Sequence, residues 1–337
     1  MIGAAGDGVS ISITGLGCRV PDRVVPNDEL SQYVDTSDEW ILERTGIRER
    51  RMAAPEEALS DLALPAARDA LAEAELEGKD VDLLVVATVT PDMSFPSTAA
   101  IMADTLGAYG AGAYDLSAGC TGFMYALAQA YATLAGGLAR KALVVGGDVL
   151  SRILDWSDRS TLVLFGDGAG AVVLETVPER GFLGFELGAD GAGGQNLWLP
   201  GSGSRLFDHP ERYVKMNGRE VFKFATRVLV QSGQAVLERC GLTIGDVDVY
   251  VPHQANVRII DHATKKLGIP SERVVINVDR YGNTSSGSIP LALGEARERG
   301  LLRPGSLVLM TGMGAGLTWG SALMRWTRDG AVIAEAA

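Results

Sequence analysis

Cys120, His253 and Asn283 are the residues whose types and settings could carry covalent chemistry. Cys120 stands in SAGCTGF, between a strand-like AYDL and a long apolar helical run. A thiol at such a strand-to-helix turn meets free N–H groups and the positive end of the helix, which favour the nucleophilic thiolate. A small buried thiol packed against glycine fits the same local context. His253 follows the apolar VDVYV in a polar PHQAN segment, where an α/β sheet presents binding groups at its strand ends. A satisfied loop histidine is its plain alternative. Of the other two histidines, His209 lies in an irregular stretch and His262 on an amphipathic helix, where it reads as surface. Asn283 opens NTSSGS after VVINVDRY, and its plain alternative is an ordinary Gly-Asn turn.

The order Cys, His, Asn also suits a papain-like protease. Here, however, the cysteine is far from the N-terminus and lacks flanks of the C-G-S-C-W type. The glycine-rich GMGAG at 312–316 follows the strand-like LVLMT, and its backbone amides could hold a developing oxyanion. No phosphate-loop lysine follows it, and no strand–GxGxxG–helix arrangement exists, so a nucleotide-cofactor enzyme is not expected. Cys18, Cys120 and Cys240 are odd in number and widely spaced, which argues against a disulfide framework or a zinc site. A basic island covers residues 212–227, where Arg212, Lys215, Arg219, Lys223 and Arg227 face a single Glu220. Arg258, Lys265 and Lys266 follow soon after His253. The island is either a solvated helix face or a dock for an acidic or phosphorylated partner.

The elements that must position these residues alternate between strand and helix. SISITGLGCRV, VDLLVVATV, GAYDL, KALVVGGDV and AGAVVLE read as strands. LALPAARDALAEA and CTGFMYALAQAYATLAGGLA read as helices between them, an α/β pattern. The pattern then restarts. Asp80-Val81-Asp82 before LLVVATV resembles Asp246-Val247-Asp248 before VYVPH, and Ala126-Leu127 resembles Ala292-Leu293. The two matches share one offset in numbering, 246 − 80 = 166 and 292 − 126 = 166. GDGAG at 166–170 resembles GMGAG at 312–316 at an offset of 146, so ~20 extra residues, DVLSRILDWSDRST among them, are expected in the first half. Two similar halves, 1–177 and 178–337, are the expected organisation. By the offset, the Asn283 turn falls near the counterpart of Cys120. Residues 191–217 lack periodicity and read as a long surface loop, a candidate lid.

Glycine, 42 of 337 residues, serves tight turns and close backbone approach rather than disorder, since proline is only 13. The formal charge of −12 argues against a nucleic-acid partner. The apolar run 123–139 carries Gln129 and two glycines, so a buried helix is expected rather than a membrane span. The opening MIGAAGDGVSISITG has no basic run before its apolar stretch, so no secretion signal is expected, and cytoplasm with reduced thiols is the default.

From Ser10 to Trp326 the chain resembles β-ketoacyl-acyl carrier protein synthase III, of the thiolase superfamily. DEWILERTGIRERR, AGCTGF, FGDGAGAVVL, NGREVFKFA, VPHQAN, YGNTSSGSIP and GLTWGS carry the resemblance. It implies an α/β thiolase-like fold, two pseudo-symmetric halves in five αβαβα layers, and a homodimer. It implies that Cys120 takes an acyl group from acyl-CoA. His253 and Asn283 then bind the thioester carbonyl of a malonyl-acyl carrier protein as carbon dioxide leaves. The backbone amides of Cys120 and Ala315 form the oxyanion hole, with coenzyme A as part of a substrate and no metal or other cofactor. Residue by residue, it implies that Trp40 and Arg159 sandwich the adenine of coenzyme A, with Arg44 beside them. Gly218, Phe222 and Asn256 line the tunnel. Lys223, Arg258, Lys265 and Lys266 form the dock for the acidic carrier protein, and Phe95 reaches into the partner's acyl pocket. Met313, where the family often has Phe, and Ala315, where it has Gly, are departures near the substrate. The other function the residues could serve is acyl transfer to an alcohol or amine without condensation. A paired enolate site favours condensation.

Overall fold

The computed structural model describes residues 10–178, 181–206 and 210–327. The chain runs from β1 (Ser10–Arg19) through a short hairpin, β2 (Val24–Pro26) and β3 (Glu49–Arg51), that encloses α1 (Asn27–Leu30) and α2 (Asp38–Thr45). There follow α3 (Leu59–Glu73), β4 (Leu83–Ala87), α4 (Thr98–Leu106), β5 (Gly112–Leu116), α5 (Gly122–Ala135), β6 (Lys141–Asp148), α6 (Arg159–Leu162) and β7 (Gly168–Val177). The remainder holds β8 (Phe182–Ala189), the two-residue strands β9 (Leu197–Trp198) and β10 (Lys215–Met216), α7 (Gly218–Arg239) and β11 (Val249–Pro252). It ends with α8 (Val257–Leu267), α9 (Val278–Tyr281), α10 (Ser288–Glu298), β12 (Leu307–Gly314) and β13 (Thr318–Arg325).

Two sheets form, in the orders β1-β7-β6-β4-β5 and β11-β12-β13-β8. In the first, β4 runs parallel to β5 and β6, β6 antiparallel to β7, and β7 antiparallel to β1. The second repeats that sequence of orientations: β11 is parallel to β12, β12 antiparallel to β13, and β13 antiparallel to β8. A single parallel bridge between Tyr250 and Val274 stands where β5 stands in the first sheet. The equivalent strands β4 and β11 are buried along their whole length, as apolar runs covered on both faces must be. Helices α3 and α4 cover the first sheet, α5 and α10 lie between the sheets, and α7 and α8 cover the second. These are the five αβαβα layers that the resemblance implies. Between its two sheets α5 buries Phe123, Met124, Leu127 and Leu134, at roughly 1.5–3 kcal/mol each. Among the described residues no helix is long and apolar enough to cross a membrane.

The offset found in the sequence recurs in the structure. It relates the starts of β4 and β11 (83 and 249), α5 and α10 (122 and 288), and β6 and β12 (141 and 307). The two short 3-10 turns that precede the central helices, Gly119–Thr121 and Ser285–Gly287, obey it as well. The glycine-rich match does not. GMG closes β12, whereas Gly168 opens β7, so the two motifs occupy different places. The last strand of the second half, β13, begins at Thr318, ahead of where the common offset from Gly168 would put it. The extra segment lies between Asp148 and Gly168, as expected, but it is shorter than the motif alignment suggested.

Candidate active site

The ends of the central strands and the starts of the central helices meet where the halves join. Buried Asp148, at the end of β6, fastens this junction. Its Oδ1 accepts from Thr88 Oγ1 at 2.8 Å, Val89 N at 2.7 Å and Thr90 Oγ1 at 3.0 Å. Its Oδ2 accepts from Ser286 Oγ at 2.7 Å and Ser286 N at 3.3 Å, across the junction. A buried carboxylate needs this many donors to meet its acceptor sites, and this one fixes where α10 begins.

Cys120 and Asn283 stand on the two sides of this junction. Cys120 lies in the turn ahead of α5 and is 8% exposed. Burial pushes its thiol up to about 11, and the charge of Asp148 adds to the rise, while the side chains of Ser285 and Asn283 offset part of it. The thiolate expected from the helix N-terminus alone is therefore opposed by desolvation, and burial is the larger effect. Asn283 is held through its backbone, donating to Leu164 O at 2.8 Å and accepting from Gly166 N at 3.0 Å. Its Oδ1 accepts from Ser285 N at 2.9 Å, which leaves the Nδ2 amide as the group to offer a substrate. Ser285 itself has φ +52°, a left-handed backbone conformation uncommon outside glycine.

His253 follows β11, and its N–H extends the sheet by donating to Thr311 O at 2.8 Å. Gln254 fixes the loop around it. Its Nε2 donates to Pro252 O at 2.8 Å and Val275 O at 3.0 Å, and its Oε1 accepts from Asn277 N at 3.0 Å. The ring Nδ1 lies 2.5 Å from Ser288 Oγ, while the buried Nε2 has no hydrogen-bond partner. Burial pushes the imidazole down to about 4, so it is neutral at pH 7.

Cys120, His253 and Asn283 line one cavity of about 380 Å³. The backbones of 119–120 and 314–315 interlock at its floor. A Cβ on Gly119 (φ +57°) would come within 2.8 Å of Ala315 N, and one on Gly314 within 2.6 Å of Cys120 N. Only glycine permits this approach, and it brings the Cys120 and Ala315 segments together beside the sulfur. Thr318 Oγ1, 3.0 Å from Ala118 O and 2.9 Å from Ala315 O, ties the same segments. Met313, Gly218, Phe222 and Asn256 line the cavity walls, and Trp40, Arg44, Arg159 and Arg258 reach its mouth. Both the Arg44 and Arg159 guanidiniums lie 4.6 Å from the Trp40 ring centroid. Arg159 thus covers Trp40 itself and leaves no slot for an adenine between them. Asn256 has a structural task too: its Oδ1 caps α8 at Arg258 N (2.9 Å), and its Nδ2 donates to Arg44 O (3.1 Å). Ala315 lines a second, smaller apolar pocket of about 140 Å³ that shares Cys120.

Other sequence candidates stay outside the cavity. Lys223, Lys265 and Lys266 are exposed on α7 and α8, the two helices that carry Phe222 and Arg258 at its wall and mouth. Lys223 pairs with Glu220 at 2.7 Å. Phe95 is 85% exposed and does not enter the cavity of its own chain. The irregular stretch 191–217 proves to be more than surface. Leu197, Trp198, Leu199 and Val214 wall the smaller pocket, with Leu150, Ile153 and Leu154 of the first half's extra segment. Phe207 and His209 lie outside the described residues. Asp148, Gln254 and Ser288, which brace the site, are residues that spacing did not single out. The one signal for Ser288 was its place in NTSSGS.

A family model described as 3-oxoacyl-[acyl-carrier-protein (ACP)] synthase III matches residues 114–191, and that of its C-terminal region matches residues 237–326. A curated β-ketoacyl-acyl carrier protein synthase III from Symbiobacterium thermophilum is 55% identical over 94% of this chain and 98% of its own. One from Desulfitobacterium hafniense is 51% identical over 96% and 99%. The crystal structure of a β-ketoacyl-acyl carrier protein synthase III from Thermus thermophilus has a TM-score of 0.90 at 52% identity, covering 95% of this chain and 100% of its own. The priming β-ketosynthase of the R1128 polyketide pathway has a TM-score of 0.90 at 37% identity, covering 95% and 97%. Matched by the family models, by relatives at more than half identity over nearly the whole chain and by solved structures of the same thiolase-like frame, this chain belongs to the β-ketoacyl-acyl carrier protein synthase III family of condensing enzymes.

Proposed function

We propose that this chain joins an acyl group from acyl-CoA to a malonyl-acyl carrier protein by decarboxylative Claisen condensation, initiating a fatty acid or polyketide chain. One observation carries the assignment of roles: His253 and Asn283 line the cavity that holds Cys120, the buried His253 Nε2 has no hydrogen-bond partner among the described residues, and Asn283 Oδ1 is taken by Ser285 N, which leaves its Nδ2 toward the Cys120 side. Cys120 gives up its thiol proton as its sulfur attacks the acyl-CoA thioester carbonyl, the C–S bond to coenzyme A breaks, coenzyme A leaves as the free thiol with a proton on its sulfur, and the acyl group rests on Cys120. The malonyl thioester then loses carbon dioxide. The electron pair of the broken C–C bond becomes an enolate whose oxygen takes hydrogen bonds from His253 and Asn283. Donors fixed where charge develops lower the barrier without reorganising. The enolate carbon attacks the acyl-Cys120 carbonyl, and the Cys120 and Ala315 amides receive the new oxyanion. Collapse frees the Cys120 thiolate and the 3-oxoacyl carrier protein. The covalent intermediate divides one hard carbon–carbon step into two easier ones.

Trp40, Arg44 and Arg159 take the nucleotide end of coenzyme A once Arg159 swings off the indole. Gly218, Phe222, Asn256 and Met313 line the path of the pantetheine arm. The enzyme works as a homodimer: β5 is an open sheet edge, the exposed Tyr114 lies on it and the exposed Tyr109 just before it, and Phe95 stands exposed ahead of α4. Intact-protein mass spectrometry after incubation with acyl-CoA tests the roles. Cys120→Ala gains no acyl mass, whereas His253→Ala and Asn283→Ala gain it and then fail to pass it to the malonyl thioester. Full acylation of Cys120→Ala would refute the nucleophile.

A further inference from the structure

We propose that Ser288 is a positioning residue whose hydroxyl, donating to His253 Nδ1, holds the imidazole in the Nε2–H tautomer that faces the cavity. The proposal rests on the reading of His253 as an enolate-stabilising donor. A neutral imidazole has one N–H, and which nitrogen carries it decides what the ring can do. With the proton on Nδ1, Nε2 would present a lone pair to a developing oxyanion and repel it. With the proton on Nε2, the ring donates.

The buried contacts of Ser288 choose between these states. Its Oγ has two neighbours: His253 Nδ1 at 2.5 Å and Gln254 N at 3.4 Å. The backbone N–H of Gln254 can only donate, so it takes a lone pair of Oγ. Were Nδ1 also a donor, the serine proton would have no acceptor among these neighbours, in a residue that is 1% exposed. A buried hydroxyl proton without an acceptor is costly. The arrangement that satisfies Oγ, Nδ1 and Gln254 N together has Gln254 N–H donating to Oγ and Ser288 O–H donating to Nδ1, which leaves the proton on Nε2, the ring nitrogen with no partner among the described residues. A serine in a helix often turns its hydroxyl onto a carbonyl of the preceding turn. Ser288, the first residue of α10, turns instead to a ring on β11's end. Asp148 holds Ser286 two residues earlier, so the hydroxyl is delivered from a fastened helix start.

The test labels histidine with nitrogen-15. With only His209, His253 and His262 in the chain, two-bond proton–nitrogen correlations show which nitrogen of His253 is protonated. Ser288→Thr keeps the hydroxyl, and Ser288→Val has nearly the same shape without it, so the pair separates the hydrogen bond from packing. The native enzyme and Ser288→Thr show the Nε2–H form. Ser288→Val and Ser288→Ala show loss of that form, with malonyl-thioester decarboxylation about tenfold to a hundredfold slower, the scale on which partners that fix the tautomer of metal-bound histidines act. Acylation of Cys120 by acyl-CoA stays within about twofold in all of them, since that step does not use the His253 donor. A pure Nε2–H form and unimpaired decarboxylation in Ser288→Val would overturn the proposal. His253→Ala, run alongside, separates the two failures: if it decarboxylates normally, the reading of His253 falls and the catalytic consequence of the tautomer falls with it.

Discussion

His253 shows how burial at a single residue becomes a property of the whole chain. Its imidazole titrates near 4 in the folded protein, against ~6.5 in an unfolded chain. Above pH 6.5 neither state binds the proton, so the group contributes nothing to the pH dependence of stability. As pH falls from 6.5 to 4, the unfolded chain takes up a proton that the folded one refuses, and stability drops by about 3 kcal/mol in all. His253→Gln, which cannot titrate, should therefore lose less thermal stability than the native chain between pH 7 and pH 4.5. Parallel melting profiles would show that the imidazole is not held buried and neutral. At this scale the reactive types were legible: a cysteine at a strand-to-helix turn, a histidine past an apolar strand, and an asparagine in a Gly-Asn turn. Their supports were not. Asp148 and Ser288 are residue types with many uses, and what each does is set by a partner 138 or 35 residues away.

At the level of elements the site depends on two backbone segments packed more closely than side chains allow. The missing Cβ atoms of Gly119 and Gly314 let the turn ahead of α5 lie against the end of β12. Gly314→Ala would place a methyl group 2.6 Å from Cys120 N, and backbone cannot move aside as a flexible side chain can. We expect the two amides to part and Cys120 acylation to slow by about a hundredfold, as on loss of one oxyanion donor. Circular dichroism should be unchanged, because the strain falls on one junction and not on a core helix. Acylation at the native rate would show that these amides do not form the oxyanion hole. The strands and helices that frame this junction were legible from periodicity. Strands β9 and β10 were not, since two-residue strands fall below any repeat that a window can register. The pairing of GDGAG with GMGAG misled, because glycine-rich strings recur wherever backbone approaches backbone.

Over the whole molecule the recurrent offset in numbering made two related halves legible, but not that Asp148 of one would fasten Ser286 of the other. Charge distribution adds what neither half shows alone. The chain carries a formal −12, yet Lys223, Arg258, Lys265 and Lys266 lie on two adjoining helices, with Arg258 lining the cavity. A negative protein that must admit an acidic carrier needs a local reversal of its field at the entrance, and such steering is screened by salt. Lys265 and Lys266 lie in the last turn of α8, outside the cavity, so reversing them leaves the path of a CoA ester intact. The double variant Lys265→Glu, Lys266→Glu should raise KM for the malonyl carrier protein about tenfold, a scale set by the steering of charged partners. Acylation by CoA esters should change by less than about twofold. Added salt should raise the native KM toward that of the variant and leave the variant nearly unmoved, because the attraction being screened is the one already removed. An unchanged carrier-protein KM in the double variant would place the dock elsewhere on the molecule.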